Sequence, residues 1–113
     1  MASQFWQDLQ SDMRDPEYAR AYAAESIRIA TIDALVNDLD ALRETAGLSK
    51  AQLARAIGSD PSVVRRLLSS SSPNPTLGTI TEVAAVLGMK VTLAPMNKEE
   101  RAQITVPLRA TVG

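Results

Sequence analysis

The chain has 113 residues, 12 lysines and arginines against 13 aspartates and glutamates, a net charge of −1, and neither cysteine nor histidine. This length supports one domain plus tails, and the missing residue types exclude disulfides and thiolate or imidazole metal sites and remove the usual general base, so no metal, cofactor or enzyme activity is expected. No apolar run reaches membrane-spanning length, and Met1-Ala2-Ser3-Gln4-Phe5 lacks the basic start and apolar stretch of a signal peptide, so the expected location is cytoplasmic, with no membrane partner.

Phe5, Leu9 and Met13 recur at every fourth position with Trp6 beside them, the pattern of a short amphipathic helix. That face serves either the chain's own core or a partner, for which Trp is a favoured anchor. Asp15-Pro16 then offers a capping side chain and a first-turn proline. From Pro16 to Ala46 no glycine or proline intervenes, which allows one long helix or two with a break near residues 25–31. Ile32, Leu35, Val36, Leu39 and Leu42 form one apolar stripe, expected to be core, and Gly47 stands where a left-handed residue ends a helix.

Ser49 can cap a helix that runs to Ile57 and stops at Gly58, and Asp60-Pro61 repeats the cap-plus-proline start for a helix to about Ser69. Residues 69–75, four serines and Pro-Asn-Pro, read as a loop. Thr76 caps a last helix with an apolar face of Leu77, Ile80, Val83, Ala84 and Leu87, and Gly88 ends it. Met89, Val91 and Leu93 alternate with Lys90, Thr92 and Ala94, the period of a strand. A lone strand needs a partner: Ile104–Leu108, the same strand in a dimer mate, or the sheet of another protein. The end of the tail, from Met96 to Gly113, is expected to be mobile.

Between Lys50 and Ser69 the spacing meets the demands of a helix-turn-helix. With Lys50 as the first position, Ala54 is fifth, Gly58 ninth, Val64 fifteenth and Leu67 eighteenth. Ala54 must be small because the second helix passes over it; Gly58 permits the positive φ of a tight turn; Val64 and Leu67 plug the second helix into the core beside Leu53 and Ile57. Val63, Val64, Leu67 and Leu68 should point inward, while Ser62, Arg65, Arg66 and Ser69 recur on the opposite face at i, i+3, i+4 and i+7. That face suits a major groove: Arg65 and Arg66 for guanine or phosphate, Ser62, Asp60 and Pro61 at the helix start beside base edges. Asp60 is open to a second reading as a plain N-cap. Lys50 and the hydroxyls of Ser70, Ser71, Ser72 and Thr76 are candidates for a phosphate clamp, with a merely flexible serine loop as the alternative.

The charge distribution supports this division. Residues 1–45 carry net −5, residues 46–72 net +3, and residues 73–113 net +1. Duplex DNA responds to the local patch, so a basic middle still permits binding despite the acidic total. The acidic first third suggests a second role.

The run Leu48-Ser49-Lys50-Ala51-Gln52-Leu53-Ala54-Arg55-Ala56-Ile57-Gly58, followed by Asn74-Pro75-Thr76-Leu77 and Ala84-Ala85-Val86-Leu87-Gly88, resembles the Cro/repressor (XRE) type of helix-turn-helix domain. Asp15-Pro16-Glu17-Tyr18 with Tyr22, and Met89-Lys90-Val91-Thr92-Leu93, are similar to its HigA-like antitoxin branch. The resemblance implies a mainly α, lambda-repressor-like domain of the five-helix type, acting as a homodimer on a palindromic double-stranded operator. It further implies capture of a small ribonuclease-like toxin of the RelE/ParE type, with Phe5, Trp6, Leu9, Met13, Tyr18 and Tyr22 as candidate partner residues. A stand-alone or phage-type repressor is the alternative. The expected organisation is an N-terminal helical extension over residues 1–26, the helix-turn-helix domain over 27–88, and a short C-terminal strand with a tail over 89–113.

Overall fold

Asp15 accepts a hydrogen bond from the Glu17 N–H at 3.0 Å and opens α1, Pro16–Thr45, a single unbroken helix of 30 residues. The computed structural model describes residues 4, 7, 8, 14–69, 74–110 and 112. The expected apolar positions Phe5, Trp6, Leu9 and Met13 lie outside the described residues, although Gln4, Gln7 and Asp8 are helical. After α1 come α2 (Lys50–Ala56), α3 (Pro61–Leu68) and α4 (Leu77–Val86). A final helical run follows: α5 (Lys98–Glu100), a π-helical turn (Arg101–Thr105) and α6 (Val106–Arg109).

The chain divides into two units, Thr31–Leu93 and Met1–Ala30 with Ala94–Gly113. The first is the helix-turn-helix unit. Val36 and Leu39 of α1, Leu53 and Ala54 of α2, Val64, Leu67 and Leu68 of α3, and Val83 and Ala84 of α4 form its core. Leu53, Val64 and Val83 are fully buried, each contributing about 1.5–3 kcal/mol of apolar transfer. Ile32, Ile57 and Leu87 pack against them.

Local signals set the helix boundaries. Ser49 and Gln52 form a reciprocal capping box: Ser49 Oγ accepts from the Gln52 N–H at 3.0 Å, and Gln52 Oε1 accepts from the Ser49 N–H at 2.8 Å. At the far end of α2, Gly58 adopts φ +65°, its N–H donates to the Arg55 carbonyl at 3.1 Å, and the Ser59 N–H donates to that of Ala54 at 2.8 Å. This is a Schellman closure, and Gly47 and Gly88 repeat it after α1 and α4.

Between α1 and α2 the connection is held by Arg43, whose side chain is only 13% exposed. Its guanidinium donates to Asp40 Oδ1 at 2.9 Å and to the Leu48 carbonyl at 2.7 Å, with Glu44 at 3.5 Å. Charge-assisted bonds of this kind contribute about 1.5–3 kcal/mol when one partner is half-buried. Arg43→Ala is therefore expected to lower unfolding free energy by about that amount in a urea titration; an unchanged midpoint would remove Arg43 from the account of the fold.

In the second unit Ala23 of α1 is buried at 3% exposure. Asn97 starts the C-terminal run through a second capping box, accepting from the Glu100 N–H at 2.8 Å while Glu100 accepts from the Asn97 N–H at 3.1 Å. The π turn lies just before Pro107. Proline has no N–H and its ring clashes with the carbonyl four residues back, so the ladder widens there: the Val106 N–H donates to the Arg101 carbonyl, five residues earlier.

The expected C-terminal strand is not formed among the described residues. Met89–Leu93 has no regular secondary structure, and Ile104–Leu108, its candidate partner, is helical. A strand acquires its hydrogen bonds only from a neighbour, and Pro107 already disfavours one in the partner segment. Leu77 is a second correction: it is 67% exposed, because the apolar stripe of α4 reaches the core only from Ile80 onward.

Candidate nucleic-acid interface

The turn at Gly58 leads through Ser59 into α3, whose two faces differ sharply. Val64 is 0% exposed, Leu67 5% and Leu68 7%, while Ser62, Arg65, Arg66 and Ser69 are all exposed. Val63, expected inward, is half-buried at the edge between the faces. Leu53 and Ala54, both 0% exposed, lie where α2 meets α3, as the spacing demands.

Asp60 takes the extended N-cap conformation, φ −72° and ψ 141°, yet its side chain makes no cap hydrogen bond. Pro61 at the next position presents no N–H, and the Val63 N–H goes to the Asp60 backbone carbonyl at 3.0 Å. The plain N-cap reading of the carboxylate therefore does not describe it. Among the described residues no ion pair engages Asp60, Arg65, Arg66 or Lys50. The two guanidinium groups lie on the exposed face, and Lys50 is half-buried at the start of α2.

The hydroxyls are differently disposed. Ser69 Oγ donates to the Arg66 carbonyl at 3.1 Å, closing the end of α3. Thr76 Oγ1 accepts from the Thr79 N–H at 3.2 Å and lies 3.0 Å from Thr79 Oγ1, so it is first a helix cap. Ser70, Ser71 and Ser72 fall outside the described residues. Beside α3 is a cleft of about 300 Å³ lined by Val63, Arg66 and Leu67 on one side and by Asn74, Pro75, Thr76 and Thr79 on the other. Nothing in the sequence marks Asn74 and Thr79 as contact residues, since only packing brings them to the same cleft as Arg66.

Tyr18 and Tyr22, in the other unit, are exposed at 39% and 47%, with ring centroids 6.5 Å apart and planes inclined by 24°. Among the described residues no helix is long and apolar enough to cross a membrane, and no cluster of acidic side chains could hold a metal ion.

The profile of the helix-turn-helix domain family matches residues 34–95, more than half of the chain. No curated protein and no solved structure matches it. The matched stretch contains α2, the Gly58 turn, α3 and α4 entire, with the buried Ala54, Val64 and Leu67 at their required spacing, and the chain belongs to the helix-turn-helix domain family as a DNA-binding transcription regulator.

Proposed function

We propose that the protein is an antitoxin-type autorepressor: a cytoplasmic homodimer that binds an operator through α3 and neutralises a small ribonuclease-like toxin. The observation that carries the DNA reading is the outer face of α3, where Arg65 and Arg66 are exposed and in no ion pair among the described residues, on a helix whose other side buries Val64. In the major groove these guanidinium groups make bidentate contacts to guanine or hold phosphates. Ser62 and the uncapped Asp60 carboxylate reach base edges at the helix start, where a carboxylate accepts from a cytosine amino group. Lys50 and the cleft of Arg66, Asn74 and Thr79 hold the sugar-phosphate backbone, with Ser69 and Thr76 fixing the helix ends that frame it.

The toxin part of this reading is supported by charge and exposure. The first 45 residues carry net −5, and ribonuclease-like toxins, which bind RNA, are expected to be basic, so complementary potentials would speed their capture. The stacked Tyr18–Tyr22 pair supplies an aromatic anchor on the same segment.

Co-expression with the product of the adjacent gene, followed by pull-down and gel shift on the upstream DNA, tests both parts. The expected result is a captured small basic protein, with capture weakened by Tyr18→Ala/Tyr22→Ala and DNA binding retained. Operator binding without any captured partner would leave a stand-alone repressor.

A further inference from the structure

The helix-turn-helix unit carries an apolar cleft that DNA recognition does not use. Leu35 and Leu39 of α1, Ile80 and Ala84 of α4, and Met89 and Val91 after α4 line about 230 Å³ of it. Met89 and Val91 in its rim remain 49% and 41% exposed, and Leu93, two residues on, is 97% exposed. Apolar side chains gathered on one surface mark an interaction site, since each gains free energy only by leaving water.

The cleft also has an acid and a base. Asp38 from α1 and Lys90 from the segment after α4 both line it, both are exposed, and no ion pair engages either among the described residues. Hollow, protruding apolar side chains, acid and base all belong to one patch of one unit. Such a patch holds both the apolar surface and the opposite charges that a two-fold contact needs, since there the same surface on both copies must be complementary to itself. A second copy of the chain supplies the complement to each of these features at once, apolar surface to apolar surface and Asp38 to Lys90.

We propose that this patch is the interface between two copies of the chain, with Met89, Val91 and Leu93 of each copy covering the cleft of the other and Asp38 of each paired with Lys90 of its mate. This rests on the homodimer in the proposed function and names the surface that makes it. Two copies joined in this way present two α3 helices to the half-sites of one palindrome.

The test uses the full-length chain with Asp38→Lys and Lys90→Asp made separately, analysed by sedimentation velocity alone and as an equimolar mixture. Each variant alone brings like charges together at both ends of the interface, and its dimer dissociation constant is expected to rise by at least about tenfold. The mixture restores two opposite-charge pairs and is expected to return to a heterodimer, which a pairing within one chain cannot do. Leu93→Arg, at the most exposed of the three apolar positions, is expected to give a monomer whose circular dichroism matches the wild type. A wild-type dimer that survives all three substitutions overturns this surface and leaves the homodimer standing. Single variants that dissociate but do not reassociate when mixed overturn the charge pairing, and with it the proposed interface. A wild-type chain monomeric at every concentration overturns the interface and the homodimer together, while one-site DNA binding by that monomer would keep the DNA reading intact.

Discussion

Replacing Arg65 and Arg66 together by alanine is expected to abolish operator binding while leaving the unfolding midpoint where it was. Both side chains are exposed on the outer face of α3, and neither is tied to an acidic neighbour among the described residues, so the fold loses no ion pair when they are truncated. A bidentate arginine contact discriminates bases by about 1–3 kcal/mol, and two of them account for a loss on the order of a hundredfold or more in gel-shift affinity. The salt dependence gives a second, independent readout: the slope of log affinity against log salt should become shallower by about 0.9 for each phosphate contact removed. Asp60→Asn in the same titrations should leave that slope nearly unchanged and relax the preference at one base pair. Undiminished affinity in the double alanine variant would move the groove contact off α3.

Ala54→Leu is expected to lower stability and operator affinity together. The residue is 0% exposed where α2 meets α3, with the fully buried Leu53 next to it and Val64 in the same core cluster. Three added carbons have no space there unless α3 shifts, and overpacking of this kind costs about 1–3 kcal/mol and occasionally more. A domain of this size has only about 5–15 kcal/mol in total, so the thermal midpoint should fall by several degrees. Because the shift would move α3 itself, operator affinity should fall in parallel, unlike the arginine variant, where only affinity changes. A midpoint at or above the wild-type value would show that the crossing has room, against the observed burial.

These three positions also illustrate what the sequence makes legible. Ala54, Gly58, Val64 and Leu67 are tied to one another by helix periodicity, so their spacing alone predicts both the crossing and the outer face that carries Arg65 and Arg66. Caps are similarly local: Ser49, Asp15 and Thr76 sit where their oxygens meet free N–H groups. The strand reading fails because alternation in Met89–Leu93 describes a possible face and does not supply a neighbour. Asn97 with Glu100 three residues later is a capping box in plain sight, and together with Pro107 it favours the helix that forms there over the strand expected. Arg43 is a different case. Its bond to the Leu48 carbonyl depends on how the chain folds back after Gly47, which residue type and spacing do not announce. The same holds for Asn74 and Thr79, which meet Arg66 only through packing. Leu77 shows the limit of periodicity itself, since a stripe can run past the end of the surface that covers it.

The uncapped Asp60 has one further consequence. Helix α3 begins on the rigid ring of Pro61 and on a backbone carbonyl, and asks nothing of the side chain at position 60. Ser62, Arg65 and Arg66 are likewise exposed, outside the buried core. Under the proposed groove contact, the scaffold and the reading head are thus written in separate letters: operator preference would change at four exposed positions, one at a time, at little expense to the fold.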